Sequence, residues 1–165
     1  MAGRATLAGL ISILALTACS RTANEARTTQ DDMVAVARLM VTLDRVISEE
    51  DLAGLLALVA EDAVYMLPDT PALVGKRAIG EFYSALFTSS DIEIAHEVLE
   101  IDAAGKFVIH RGNAKGTTTP RTGGEPIEFD DKYLFLIKRA ANGSLLVWRA
   151  VFNRNSPTSS SGSHP

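Results

Sequence analysis

Apolar residues recur at helical spacing in the first half of the folded part of the chain and at strand spacing in the second. Between residues 31 and 47, Met33, Val36, Met40, Leu43 and Ile47 alternate spacings of three and four, which is one face of a helix that Asp31 or Asp32 can cap. Ser48, with Asp51 three residues on, has the form of a capping box for a second helix through Ala60, with Leu52, Leu55, Leu56 and Val59 inward. Residues 63–67 read as a strand with Tyr65 at its middle. Pro68 and Pro71 lack the N–H that a ladder needs, so a loop runs from there to Gly75. From Lys76 the helical period returns in Ile79, Phe82, Tyr83 and Leu86, predicting a third helix that ends near Thr88.

Past Ser89-Ser90 the period shortens. Strands are predicted over 92–101, 106–119, 127–139 and 144–153, separated by turn signals at Ala104-Gly105, Thr122-Gly123-Gly124 and Asn142-Gly143. Short turns join consecutive strands into an antiparallel meander, so the fold class is α+β, three N-terminal helices packed on a curved antiparallel sheet. The last two strands are apolar on both faces. Leu134 and Leu136 oppose Tyr133, Phe135 and Ile137, while Trp148, Ala150 and Phe152 oppose Val147 and Val151. An antiparallel sheet covered on one side alternates apolar with polar, so the outer face calls for a cover, most simply a second copy of the chain.

The ends have a different character. Residues 1–19 carry one positive charge at Arg4, an apolar run from Leu7 to Leu16, and small residues before Cys19. The run is too short to span a bilayer and has the layout of a secretory signal. Leu16-Thr17-Ala18-Cys19 resembles the lipobox of bacterial lipoproteins, which implies a signal peptide over 1–18 and a lipid on Cys19. The resemblance implies a place in the cell envelope, and Ser20 after the cysteine points to the periplasmic face of the outer membrane; the other reading is an ordinary cleaved signal with an incidental cysteine. Cys19 is the only cysteine, so an intramolecular disulfide is excluded. Residues 19–30 read as the lipidated cysteine and a flexible tether, 31–155 as the domain, and the Ser-, Gly- and Pro-rich 156–165 as a disordered tail. Net charge is −4 and the basic residues are scattered, which argues against a nucleic-acid partner.

The order helix, helix, EDAVYMLP, VGKRAIGEFY, GKFVIHRG, GEPIEFDDKYLFLIKR and NGSLLVWRAVFN resembles the SnoaL-like and ketosteroid-isomerase-like proteins of the nuclear transport factor 2-like superfamily. The resemblance covers 31–155 and implies a cone whose sheet wraps a long helix around an apolar pocket. In steroid isomerases of this type the base is an aspartate immediately before the proline of the strand-end loop; here Leu67 precedes Pro68. The position of their oxyanion-binding tyrosine aligns with Leu43, and that of their protonated carboxyl falls near Leu134 or Phe135. Leucine neither accepts a proton from carbon nor donates to an enolate, so steroid isomerase activity is not expected. Asp69, two residues further on in the proline-rich loop, is either a substitute for that base or a solvated carboxylate, and the loop favours the second.

The remaining candidates are polar residues in apolar strands. His96 interrupts Ile92, Ile94 and Val98, and His110 precedes Arg111-Gly112; each is either an acid or base or a hydrogen-bonded structural residue. Neither has a recognisable carboxylate partner, so no metal and no cofactor is expected. Lys132 is either a pocket cation or an ion-paired residue at the strand entry. Tyr65 and Trp148 either stack on a planar ligand or pack the core. Two functions follow: binding of a small, largely apolar molecule, with or without proton transfer, or a non-catalytic dimeric module for another envelope protein.

Overall fold

The computed structural model describes residues 30–155. The expected signal peptide, Cys19, the expected tether up to residue 29 and the expected tail with His164 lie outside the described residues. Helix α1 (30–48) buries Val36, Leu39, Met40, Leu43, Val46 and Ile47, whereas Met33 is 44% exposed and off the stripe. Asp32 is helical, and its buried carboxylate pairs with Arg139. The cap of α2 (Leu52–Ala57) is Asp51 rather than Ser48, its carboxylate accepting the Gly54 N–H at 2.8 Å. A Cβ at Gly54 would stand 2.2 Å from that carboxylate, so the cap requires glycine there. This helix stops at Ala57, short of the expected Ala60, because Val59 already belongs to a strand.

Strand β1 (Val59–Met66) turns through the proline loop into the two-residue β2 (Leu73–Val74). At Gly75, φ 84, the chain enters α3 (Gly75–Ser89), which buries Ile79, Gly80, Tyr83 and Phe87. Then come β3 (Ser90–Ala104), β4 (Phe107–Pro120), β5 (Ile127–Arg139) and β6 (Leu145–Arg154). Together they form one curved sheet in the order β2-β1-β6-β5-β4-β3. The expected all-antiparallel sheet is corrected in one respect. β1 pairs parallel with β6, Tyr65 opposite Ala150, so the sheet is mixed. That pairing joins distant parts of the chain across the helices, and local turn signals do not encode it.

Tyr133, Phe135 and Ile137 of β5, Val147 and Ala150 of β6, and Val108 of β4 face inward against α1 and α3, forming the core. Strict alternation fails in β6. Leu136 opposes Arg149 while the next residue, Ile137, opposes Val147, which leaves Trp148 as the extra residue of a bulge. The bulge keeps Val147 and Ala150 both inside and turns Trp148 outward. Among the described residues no helix is long and apolar enough to cross a membrane.

Candidate functional site

His96 lies on the inner face of β3, opposite α1. Its Nδ1 meets Asp44 Oδ1 at 2.5 Å, and its backbone N–H donates to the other carboxylate oxygen at 3.1 Å. Gripped on both sides by one carboxylate, the imidazole is 1% exposed and its tautomer is set with the proton on Nδ1. Nε2 is then a buried acceptor, and no described residue donates to it. A buried acceptor without a donor costs about 1–3 kcal/mol, so the fold maintains this nitrogen against its own stability.

Beside it, His110 of β4 is fully buried, with Nε2 3.0 Å from the Tyr133 hydroxyl. Tyr133 in turn donates to the Glu97 carbonyl at 3.2 Å, so the remaining hydrogen bond runs from His110 Nε2–H to the tyrosine oxygen. Burial, helped by the nearby His96, pushes His110 down to about 4 and keeps it neutral. Burial and the carboxylates of Asp44 and Glu97 raise the Tyr133 phenol, which stays protonated. Gly112 makes room for this ring: a Cβ there would stand 1.9 Å from the Glu97 carbonyl oxygen and 2.5 Å from the tyrosine hydroxyl. The His96 ring lies 5.1 Å from Tyr133, 5.8 Å from Phe135 and 6.3 Å from Phe152.

Phe152 also forms part of the wall of a cavity of about 290 Å³ between α1, α3, the proline loop and the inner face of the sheet. Ile47, Phe82, Tyr83, Leu86, Ile92 and Ile94 make that wall largely apolar. Asp131, Arg154, Thr70 and Thr118 provide the polar positions. His96 is adjacent to this space without opening into it: Ile94 precedes it on the same face of β3, and Ile47 is one turn beyond Asp44 on α1. Burial raises the Asp131 carboxyl above the ordinary aspartate range, against the attraction of Arg154.

The structure brings His96 and His110 together, joined through Tyr133, and places the other candidates elsewhere. Tyr65 is in the core, 3% exposed, its hydroxyl buried without a partner and its phenol raised by burial with Tyr83 nearby. Trp148 is on the outer face, stacked on Phe107 at 4.9 Å and 14°, covered by Arg149 at 3.8 Å, with Nε1–H donating to Asp62 at 2.9 Å. The bulge corrects its expected position beside Phe152. Lys132 faces outward and donates to the Arg154 carbonyl at 2.9 Å, tying two strand ends together. Asp69 is exposed, at φ 54, paired with Arg154 at 2.5 Å. Leu67, where the steroid isomerases place their base, is part of the cavity wall.

Asp44, Tyr133, Asp131 and Arg154 were not singled out as functional from the sequence. Two signals were present. Asp44 lies four residues after Met40 and three before Ile47, a carboxylate on an apolar stripe. Asp131 falls in the odd-numbered row Phe129, Asp131, Tyr133 and Phe135, which is the inner row of β5.

The sequence profile of the SnoaL-like domain family matches residues 36–145. No curated protein matches. Among solved structures, a ketosteroid isomerase-like protein from Erwinia carotovora atroseptica SCRI1043 is 25% identical with a TM-score of 0.68, over 75% of this chain and 96% of that one. A candidate scytalone dehydratase from Novosphingobium aromaticivorans DSM 12444 superposes with a TM-score of 0.73 at 14% identity, over 79% and 89% of the two chains. ActVI-ORFA from Streptomyces coelicolor gives 0.63 at 15% identity, over 74% and 96%.

Proposed function

The chain belongs to the SnoaL-like domain family of the nuclear transport factor 2-like superfamily, and from that premise and the site geometry we propose that it binds a small, largely apolar molecule in the inner cavity and moves a proton on it with His96. One observation carries the reading: the buried, donor-free Nε2 of an imidazole whose other nitrogen is held by Asp44, beside an apolar cavity. A general base needs a free acceptor and a group that orients the ring and stabilises its charged form; Asp44 supplies the second. Phe152 is common to the cavity and the surroundings of His96, part of the cavity wall and 6.3 Å from the imidazole between ring centroids. The reaction differs in its base from steroid isomerisation, since Leu67 stands at that position.

The test uses 4-phenylbutan-2-one, an apolar ketone with acidic C–H bonds next to its carbonyl. In heavy water the protein exchanges those hydrogens, and His96→Gln slows the exchange about 100-fold or more, as followed by proton NMR. Amide shifts confined to the outer face, or equal exchange by the variant, would overturn the reading.

Two further parts of the proposal concern partners and place. Leu99 and Leu134, 50% and 41% exposed, surround an outer-face depression of about 330 Å³ with Val151, and this favours a homodimer through that face. Leu134→Glu then gives a monomer by sedimentation. The lipobox ending in Cys19 supports a lipid anchor in the cell envelope; an unchanged membrane fraction for Cys19→Ser would remove that support.

A further inference from the structure

The outward sides of the two longer helices differ in chemistry. Along α3, Arg77, Glu81, Ser84, Ala85 and Thr88 are exposed, the polar face expected of a helix that meets water. Along α1 the exposed residues include Met33, Val34, Ala37 and Val41, with Met33 44%, Val34 43% and Val41 69% exposed. The helical repeat sets these four side by side on one arc about 100° wide, apart from the arc of Val36, Met40, Leu43 and Ile47 that packs the core. Single exposed apolar residues are ordinary, whereas a contiguous band of them marks a contact surface.

One border of the band is cationic. Arg45 and Arg38 follow Val34 around the helix; Arg45 pairs with Glu49 at 2.5 Å, and Arg38 has no ion-pair partner among the described residues. Asp31 lies beyond Arg38, and on the opposite border Asp44 is turned in toward His96. Basic side chains at the edge of an apolar band suit the boundary between acyl chains and anionic headgroups, with their stems along the first and their charges against the second. α1 is also the first helix after Cys19. Ten residues, 20–29, separate that cysteine from Gln30, and a chain of that length reaches at most about 35 Å. They carry Arg21 and Arg27 against Glu25, a further excess of positive charge.

We propose that this face of α1 is a membrane-docking surface whose partner is the bilayer that holds Cys19, a lipid surface with anionic headgroups. This rests on the lipid anchor at Cys19. The helix lies along the headgroup region, with Met33, Val34, Ala37 and Val41 toward the acyl chains and Arg38 against a lipid phosphate. So small a band holds a free protein to a bilayer only weakly. A short tether raises the effective concentration of lipid to the millimolar range, where weak contact suffices. The outer face of the sheet, with Leu134 and Val151, is on the far side of the core from α1 and stays available to a second copy. α1 also gives Ile47 to the cavity wall, so docking sets the cavity near the bilayer surface.

The test uses the full chain, processed in a bacterial host and reconstituted in vesicles of equal parts phosphatidylethanolamine and phosphatidylglycerol. Acylation blocks Cys19, so Val41→Cys and Ala85→Cys each present one free thiol for an environment-sensitive fluorophore. Both positions are exposed, one on α1 and one on α3, so neither substitution disturbs the core. Spin-labelled lipids quench the probe at residue 41 about threefold or more beyond the probe at residue 85, and its emission shifts to the blue. Val34→Glu, placed in the Val41→Cys chain, returns that quenching to the level at residue 85. Quenching indifferent to the new charge reports proximity alone and overturns the docking surface, as does equal quenching at the two positions; the anchor then still stands. Blue-shifted emission without lipid quenching means that a second copy covers α1, and overturns it equally. A purified chain whose mass lacks acyl groups removes the anchor, and the docking surface with it.

Discussion

On the inner face of the sheet polar groups are left incomplete, and on the outer face they are paired off. Nε2 of His96 and Nδ1 of His110 are buried with no described partner, and Asp131 is on the cavity wall facing Arg154. Outside, the Asp62 carboxylate receives Trp148 Nε1–H at 2.9 Å and Lys138 Nζ at 3.2 Å, and those two hydrogen bonds lower its pKa, while its backbone carbonyl receives Arg149. Both faces are rich in aromatics and charge, so composition does not separate them. What separates them is the valence left open, because an unmet buried acceptor costs free energy that only a bound partner can recover.

The largest test of this contrast concerns packing. Phe135, 1% exposed, touches His96, His110, Tyr133 and Phe152, whereas its neighbour Leu134 is 41% exposed on the other face. Phe135→Ala lowers unfolding stability by about 3–5 kcal/mol. Leu134→Ala in the monomer costs less than about 1 kcal/mol. Urea unfolding of both decides, and equal losses would mean that the outer face is core as well.

Next is protonation of His110. Its folded value, about 4, lies below the ordinary 6.5, so the neutral form is favoured by folding. That contribution is fully present above pH 6.5 and is lost as pH falls from there through 4. It amounts to roughly 3 kcal/mol at the bottom of the window. His110→Gln therefore loses less stability than wild type between pH 7 and pH 4, measured by urea midpoints; parallel losses would refute the assignment.

The smallest effect belongs to the outer stack. Trp148→Leu removes the Phe107 contact and the Asp62 hydrogen bond at a cost of about 1–2 kcal/mol, without changing ketone exchange. Slower exchange in that variant would link the two faces.

Local rules made most of the fold legible. The predicted 127–139 strand coincides with β5, and the glycine turns and both α3 termini fall within a residue or two of their expected places. The site was half legible. Both histidines stood out as polar breaks in apolar strands, but the Asp44 partner lies 52 residues from His96, and in sequence it reads as one more charge on an amphipathic helix. Trp148 shows the opposite failure, since one extra residue in β6 reverses the face that alternation assigns.

Period, turn chemistry and apolar spacing are properties of neighbouring residues, and by themselves they determined most of the elements and their order; the family followed from the resemblance of the motifs those elements carry. Which acceptor keeps an open valence, and which carboxylate holds the other side of its ring, was decided only when α1 packed across β3 and the bulge set the register of β6. Those are contacts between distant segments, whose geometry depends on the whole core closing at once.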